Sequence, residues 1–290
     1  MPIESLGYLR LESNDLPAWK VFAGDFLGLM PIESADESLR YRMDDFPQRL
    51  VVAPGAESKM TAMGFEVLNK RDLGEVVAKV ESAGIKVTTG TVEECAERRV
   101  TGFARFDDPA GNPVELFYGP VLDHRTVQLP TVSGFVTDDM GMGHVIVTGE
   151  DGQALYDFYV GLLGFFERNT MGGRENPVWF LSPNERHHTL GIAQAPGPGR
   201  LIHLMVEGES LDDVGRALDR AAELNVPMMH SLGKHTNDYM VSFYVWSPEN
   251  YAIEFGYGGR RVEGEAATYE ITEGAFWGHK FTPPPGAPGA

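Results

Sequence analysis

Two histidines and a glutamate in the second half of the chain lie where strand-like runs would bury them. His144 opens GHVIVT, His203 sits inside RLIHLMVEG, and Glu254 sits inside YAIEFGY. Alternate side chains of an extended strand share a face, which sets His144 with Ile146 and Thr148, and His203 with Leu201 and Met205. A carboxylate flanked by Ile253 and Phe255 is costly to bury unless it is paired or bound to a metal. Singly, each has an ordinary explanation: a core histidine is usually hydrogen-bonded, and a strand glutamate often faces water. Together, two imidazoles and one carboxylate can hold a metal by one face and leave positions open on the other, the ligand set of many ferrous oxygenases. Zinc accepts the same ligands, so ligand type alone leaves the metal open.

An internal repeat sharpens the reading. The segment from Leu6, LGYLRLESNDLPAWKVFAGDFLGL, aligns with the segment from Met142, MGHVIVTGEDGQALYDFYVGLLGF, at an offset of 136. Gly7 then matches Gly143, Asp15 matches Asp151, and Leu27-Gly28 match Leu163-Gly164. Later the offset drifts to 141 and 139, as small loop insertions would cause. On this alignment the counterparts of His144, His203 and Glu254 are Tyr8, Ala62 and Glu115. The scaffold therefore does without imidazoles in its first copy, which disfavours a purely structural role for them in the second. All eight histidines lie at position 124 or later, so any histidine chemistry belongs to the second half, and no metal is expected at Glu115.

The elements that position these residues follow from periodicity. Leu155, Phe158, Tyr159 and Leu162 mark a helix from Asp151 to Leu163 with Gly164 as its stop; Leu73, Val76, Val77 and Val80 mark another before Gly84. Ser210 and Asp213 form a capping box ahead of Val214 and Leu218. The pattern of strand, helix and strands occurs twice in each half. We therefore expect an α+β protein of two tandem domains, each built of two βαβββ modules curling round a cavity. The expected divisions are an N-terminal domain over 1–120, a connector over 121–141, a C-terminal catalytic domain over 142–260 and an extension over 261–290. A Pro/Gly tail from Thr282, with nothing to bury, is expected to be flexible.

A chain of 290 residues with 42% hydrophobic and 23% charged residues has the composition of a globular protein. Its formal charge of -18 would repel phosphate backbones and anionic lipid, so neither nucleic acid nor membrane is an expected partner. No apolar run approaches the roughly 18 residues of a membrane span. MPIESLGYLRLES has no basic region leading into an apolar stretch, so no secretory signal is expected. Cys95 is the only cysteine, which excludes an internal disulfide and an iron–sulfur cluster and suits a cytoplasmic location.

Around the three candidate ligands the sequence resembles the type I extradiol dioxygenases of the vicinal-oxygen-chelate superfamily, which share the glyoxalase-like fold. The resemblance runs from SLGYLRLES to FWGHKF and is most specific in GKHTNDYMVSFYVWSPENYAIEFGY, with ERHHTLGIA and GRLIHLMVE beside it. It resembles in particular the members that cleave 2,3-dihydroxybiphenyl and related catechols. The turn departs from the family pattern, with Ser247 before the proline and Asn250 two residues after it, where glycine is usual. Asparagine tolerates positive φ, so the turn is expected to survive. Tyr239 stands where histidine is common, a change expected to bear on the substrate pocket.

The resemblance implies an oxidoreductase that uses Fe(2+), held by His144, His203 and Glu254, to cleave an aryl- or alkyl-substituted catechol with O2, both oxygen atoms ending in the product. It implies His188 as the acid–base residue near oxygen, with His235 and Tyr244 hydrogen-bonding the substrate oxygens. Arg49, Ala96 and Arg105 fall at roughly the equivalent places in the first half. Ile146, Phe180 and Asn237 are the expected substrate contacts, while His124, His230 and His279 are read as structural or surface residues. Family members often form homo-oligomers, and this chain is expected to do so. Two rivals share the fold: a glyoxalase-type metal lyase or isomerase, and a metal-free protein that binds small molecules.

Overall fold

A computed structural model describes residues 2–173, 175 and 177–286. Four βαβββ modules follow one another. The first runs from the strand Ile3–Ser13 through the helix Leu16–Lys20, continued by Val21–Phe26, to the strands Met30–Ile32, Leu39–Arg42 and Leu50–Pro54. The third repeats it, from His144–Gly149 through Gly152–Tyr156 and Asp157–Leu162 to Phe166–Met171, Val178–Ser182 and Leu190–Gln194. The matched residues show why. Asp15 and Asp151 cap the two helices by accepting from the N–H of Ala18 and Ala154. Each helix then widens, with Leu27 N–H reaching the carbonyl of Phe22 and Leu163 N–H that of Phe158, and Gly28 and Gly164 follow at positive φ.

Within each half the two modules join through their first strands. In the first half Ile3–Ser13 runs antiparallel to Lys59–Val67, with Tyr8 opposite Gly64 and Arg10 opposite Ala62. In the second, His144–Gly149 runs antiparallel to Leu201–Glu207, with His144 opposite Met205 and Ile146 opposite His203. Glu115 pairs with Gly64, and Glu254 with Met205. The offsets read from sequence are thus kept in the ladder, and Tyr8, Ala62 and Glu115 are the spatial counterparts of His144, His203 and Glu254. The register makes one adjustment: Leu50 pairs with Leu9 as Leu190 pairs with Val145, so Gln48 rather than Arg49 stands in the place of His188.

The halves differ where the sheet ends. The eight-stranded sheet of the first half stops at Thr88–Thr89, and the chain then forms a helix, Val92–Arg98, behind a capping box of Thr91 and Glu94. In the second half the corresponding stretch continues as the strand Met228–His235. Two short strands beyond it complete a ten-stranded sheet. Glu270–Ile271 pairs with Thr170 and Met171 at one edge, and Ala275–Trp277 pairs with Lys234 and His235 at the other. Only residues 272–274 separate them, so the C-terminal segment clips the two free edges together and encloses the space between.

The helix of the first half carries Arg98 to the place a metal would take. Its Nη2 and Nε donate to Glu115 at 2.6 and 2.7 Å, and the Tyr8 hydroxyl donates to the same carboxylate at 2.6 Å. A fixed guanidinium thus answers the buried charge of Glu115. We expect Glu115→Gln to leave the metal content of the folded protein unchanged. It should lower unfolding free energy by about 3 kcal/mol, because Arg98 keeps its charge and loses its counter-charge. Urea denaturation beside metal analysis checks both, and loss of metal with the fold intact would place the site in the wrong half.

The halves are tied reciprocally by their turns. Asp108 accepts from Tyr159 and Asn112 donates to the Thr148 carbonyl, while Glu249 accepts from Ser13 and Trp19 of the first half. Asn250 takes φ of 60°, as Gly111 takes 86° at the matching turn, and the Ser247 hydroxyl accepts from Tyr251 N–H. The departures from the glycine-containing turn are absorbed. The tail from Thr282 is not wholly free: Thr282 N–H donates to Met229 and its carbonyl accepts from the Trp246 ring nitrogen. Residues 287–290 of that tail lie outside the described residues. No helix among the described residues is long and apolar enough to cross a membrane.

Candidate active site

The strands His144–Gly149, Leu201–Glu207 and Ala252–Tyr257 lie side by side in the middle of the second sheet, so their inward side chains converge. His144 Nε2 and His203 Nε2 are 2.8 Å apart. Glu254 Oε2 is 3.4 Å from the first and 3.6 Å from the second. Adjacent ligands at right angles on a metal with bonds of about 2.1 Å stand about 3 Å apart, so this triangle fits one divalent cation. Glu254 is 1% exposed and its Oε1 lies a long 3.4 Å from His235 Nε2, so a shared cation would answer a buried charge more fully than that contact does. Nitrogen donors outnumber oxygen, which favours a transition metal over magnesium or calcium. Among the described residues these three form the one group of histidine, cysteine and acidic side chains with this geometry.

Burial and neighbouring charge set the protonation states. Burial, then the adjacent His144, brings the His203 imidazole down to about 3, leaving it neutral with a lone pair to offer. Burial alone would raise Glu254, but His144 and His235 hold it well below the usual carboxylate range. His188 is held well below its ordinary value, first by burial and then by His144. Burial opposes a charge on His235, yet the hydrogen bond and charge of Glu254 raise it to about 9. Tyr244 is pushed well up by burial and by Glu254, so it keeps its proton and can donate.

These residues border a cavity of about 460 Å³ whose floor is the ligand triangle and whose walls are mostly apolar. His188 stacks on His144 with ring centroids 3.9 Å apart, and Phe180 meets it edge-on at 4.9 Å. Its Nδ1 faces His187 Nδ1 at 3.1 Å, which leaves Nε2 as its free nitrogen. His235 Nε2 lies 2.8 Å from the Tyr244 hydroxyl and its Nδ1 lies 3.0 Å from the Gly274 carbonyl. Tyr244 stands directly opposite Glu254 in the ladder. Ile146, Phe180 and Asn237 also line the cavity, and Asn237 Oδ1 is buried without a partner. The structure therefore brings all nine sequence-predicted site residues to one cavity.

Several wall residues escaped the sequence reading. Ile202 lines the cavity beside His203 because the register slips between Leu201 and His203, whereas strict alternation had set Leu201 on that face. His230 and His279, read as structural or surface residues, both border the cavity; the C-terminal clip adds Ile271, Gly274 and Ala275. The signal available was FWGHKF at the end of the resemblance. Tyr239 corrects the other way: it is exposed at φ 64°, faces Phe276, and is absent from the cavity wall.

Paired βαβββ modules with a metal-binding triangle in one half define the vicinal-oxygen-chelate fold. Residues 141–255 match the Glyoxalase/Bleomycin resistance protein/Dioxygenase superfamily, and residues 6–55 match the family of Dihydroxybiphenyl dioxygenase BphC D1. The chain is 41% identical to an iron-dependent extradiol dioxygenase of Rhodococcus jostii (strain RHA1), over 97% of this chain and 98% of that one. It is 38% identical to a biphenyl-2,3-diol 1,2-dioxygenase of Metapseudomonas furukawaii, over 97% and 94%. The crystal structure of BphC, a halotolerant catechol dioxygenase, superposes with a TM-score of 0.92 at 34% identity, over 96% of this chain and 95% of that one. The chain belongs to the extradiol dioxygenases of the vicinal-oxygen-chelate superfamily, and is an oxidoreductase. The lyase and metal-free readings are set aside by this membership.

Proposed function

We propose that the protein binds Fe(2+) through His144, His203 and Glu254 and cleaves a catechol with a neutral aryl or alkyl substituent, inserting both atoms of O2 beside the diol. The observation that carries this is the convergence of the ligand triangle, His188, and the His235–Tyr244 pair on one largely apolar cavity. When bound, ferrous iron supplies a cation that favours deprotonated catechol oxygens and a redox centre linking the ring's electrons to dioxygen. Tyr244, kept protonated, donates a hydrogen bond to a catechol oxygen. His235, joined to Tyr244, holds or releases a proton at Nε2. His188 offers its Nε2 from above the ligand triangle, where a neutral imidazole can take up a hydroxyl proton and return it during ring opening. Asn237 orients the diol through its unpartnered Oδ1, while Ile146 and Phe180 hold the ring.

Apolar residues such as Met171, Val178 and Ile271 form the part of the wall suited to the substituent. Among the described residues that line the cavity none is lysine or arginine, and His235 is already paired with Glu254, so a carboxylate substituent would lack a counter-charge of its own. Anaerobic reconstitution with ferrous iron, followed by a catechol panel in air, tests the proposal. We expect 2,3-dihydroxybiphenyl and 3-alkylcatechols to be cleaved to yellow products, and 3,4-dihydroxybenzoate to be poor by at least about a hundredfold, the order of an unpaired buried charge. An equal rate for the carboxylated catechol would contradict the pocket assignment. We place the enzyme in the cytoplasm because its one thiol, Cys95, is free. A homo-oligomer, as the family resemblance implies, is part of the proposal.

A further inference from the structure

His279 reaches the cavity from the C-terminal clip, and the sequence accommodates it at some cost. Its backbone takes φ of 48°, a left-handed conformation that a histidine adopts with strain, and Gly278 before it takes 78°. A Cβ on Gly278 would meet the Leu232 carbonyl oxygen at 2.1 Å, and one on Gly233 would meet the His279 ring at 2.2 Å. Two contacts then fix the imidazole: its Nε2 donates to the Ser242 carbonyl at 3.1 Å and its ring lies 4.1 Å from that of His235, while the backbone carbonyl of His279 accepts from His230 Nδ1 at 3.0 Å. With Nε2 donating, Nδ1 is left without a hydrogen, buried and without a partner.

The same clip pins His235 from another side, for the Gly274 carbonyl accepts from His235 Nδ1. Once Nδ1 is committed as donor, the ring's other nitrogen must face Tyr244 and the substrate. We infer that His279 is a positioning residue for His235: its ring blocks rotation of the His235 imidazole, so that the C-terminal clip orients this group as well as closing the cavity. The inference rests on the proposed catalytic role of His235. A residue that served only to anchor the tail would need neither a ring at 4.1 Å nor a left-handed backbone to hold it there.

The test is a double-mutant cycle on the iron-loaded enzyme. His279→Asn keeps a side chain that tolerates positive φ and removes the ring; His279→Gln is the second variant should the first fold poorly. Iron content and thermal midpoint are measured on each preparation, with anaerobic affinity for 2,3-dihydroxybiphenyl read from the absorption of the bound catecholate. We expect unchanged iron, affinity within about threefold, and kcat lower by about 10- to 100-fold, the order reached when a catalytic group is misplaced by about an ångström. In a His235→Gln background the same substitution should change kcat no further. An unchanged kcat, a loss confined to affinity, or an equal loss in both backgrounds overturns the inference. If His235→Gln alone leaves kcat intact, the proposed role of His235 has failed instead.

Discussion

Glu254→Ala is expected to give a folded protein that retains almost no iron and cleaves no catechol measurably. Glu254 is the one anionic member of the ligand triangle, is 1% exposed, and lies within 3.6 Å of both imidazoles. Removing it leaves two nitrogen donors and no anionic ligand, a set too small to hold ferrous iron against water. Asp238 also borders the cavity, but it stands beside His188, its Oδ2 3.8 Å from that ring's Nδ1, and among the described residues it is not part of the ligand triangle. His144→Ala and His203→Ala should behave alike, each opening one corner of the triangle. Anaerobic reconstitution followed by metal analysis reads the result directly, and full iron content in any of the three removes that residue from the ligand set.

His188→Ala should separate chemistry from binding. His188 touches the ligand His144 through ring stacking at 3.9 Å but contributes no atom to the triangle, so iron should stay. Catechol should bind with near-normal affinity, because metal–oxygen bonds and the His235–Tyr244 pair remain. Turnover should fall by about 10² to 10⁴, or roughly 3 to 5 kcal/mol of barrier, the usual contribution of a positioned acid–base group. Since alanine also opens a hole above His144, His188→Gln, which keeps most of the volume, should show a similar loss. Near-normal turnover with iron retained in both variants would make His188 a bystander and assign the protons to another group.

The positions that sequence revealed are those governed by a rigid period. A strand alternates every two residues and a paired ladder keeps register, so the match of Tyr8, Ala62 and Glu115 to the ligand triangle carries over into the structure. Caps and glycine stops marked the helices for the same reason, since each satisfies a backbone need at a fixed place. What stayed hidden depends on departures from period. The bulge at His203 turns Ile202 inward, and no pattern in RLIHLMVEG marks it. Arg98 enters the first-half site from a helix where the second half has a strand, so an alignment at constant offset had paired Ala96 with His235 and missed the charged neighbour. The closing strands are two and three residues long, too short to alternate visibly, and their partners are distant in sequence. His279 joins the wall through that closure, and His230 faces the cavity from the strand Met228–His235, opposite Tyr244.

Oxygen stoichiometry gives the most direct test of the central claim. Enzyme loaded anaerobically with ferrous iron is given 2,3-dihydroxybiphenyl under ¹⁸O₂, and oxygen uptake is recorded beside the mass of the product. The predicted result is one O2 consumed for each catechol, and a ring-opened yellow acid whose mass is that of the substrate plus two labelled oxygen atoms. Oxygen uptake with release of hydrogen peroxide and an unlabelled quinone, or no uptake by fully iron-loaded protein, would contradict it.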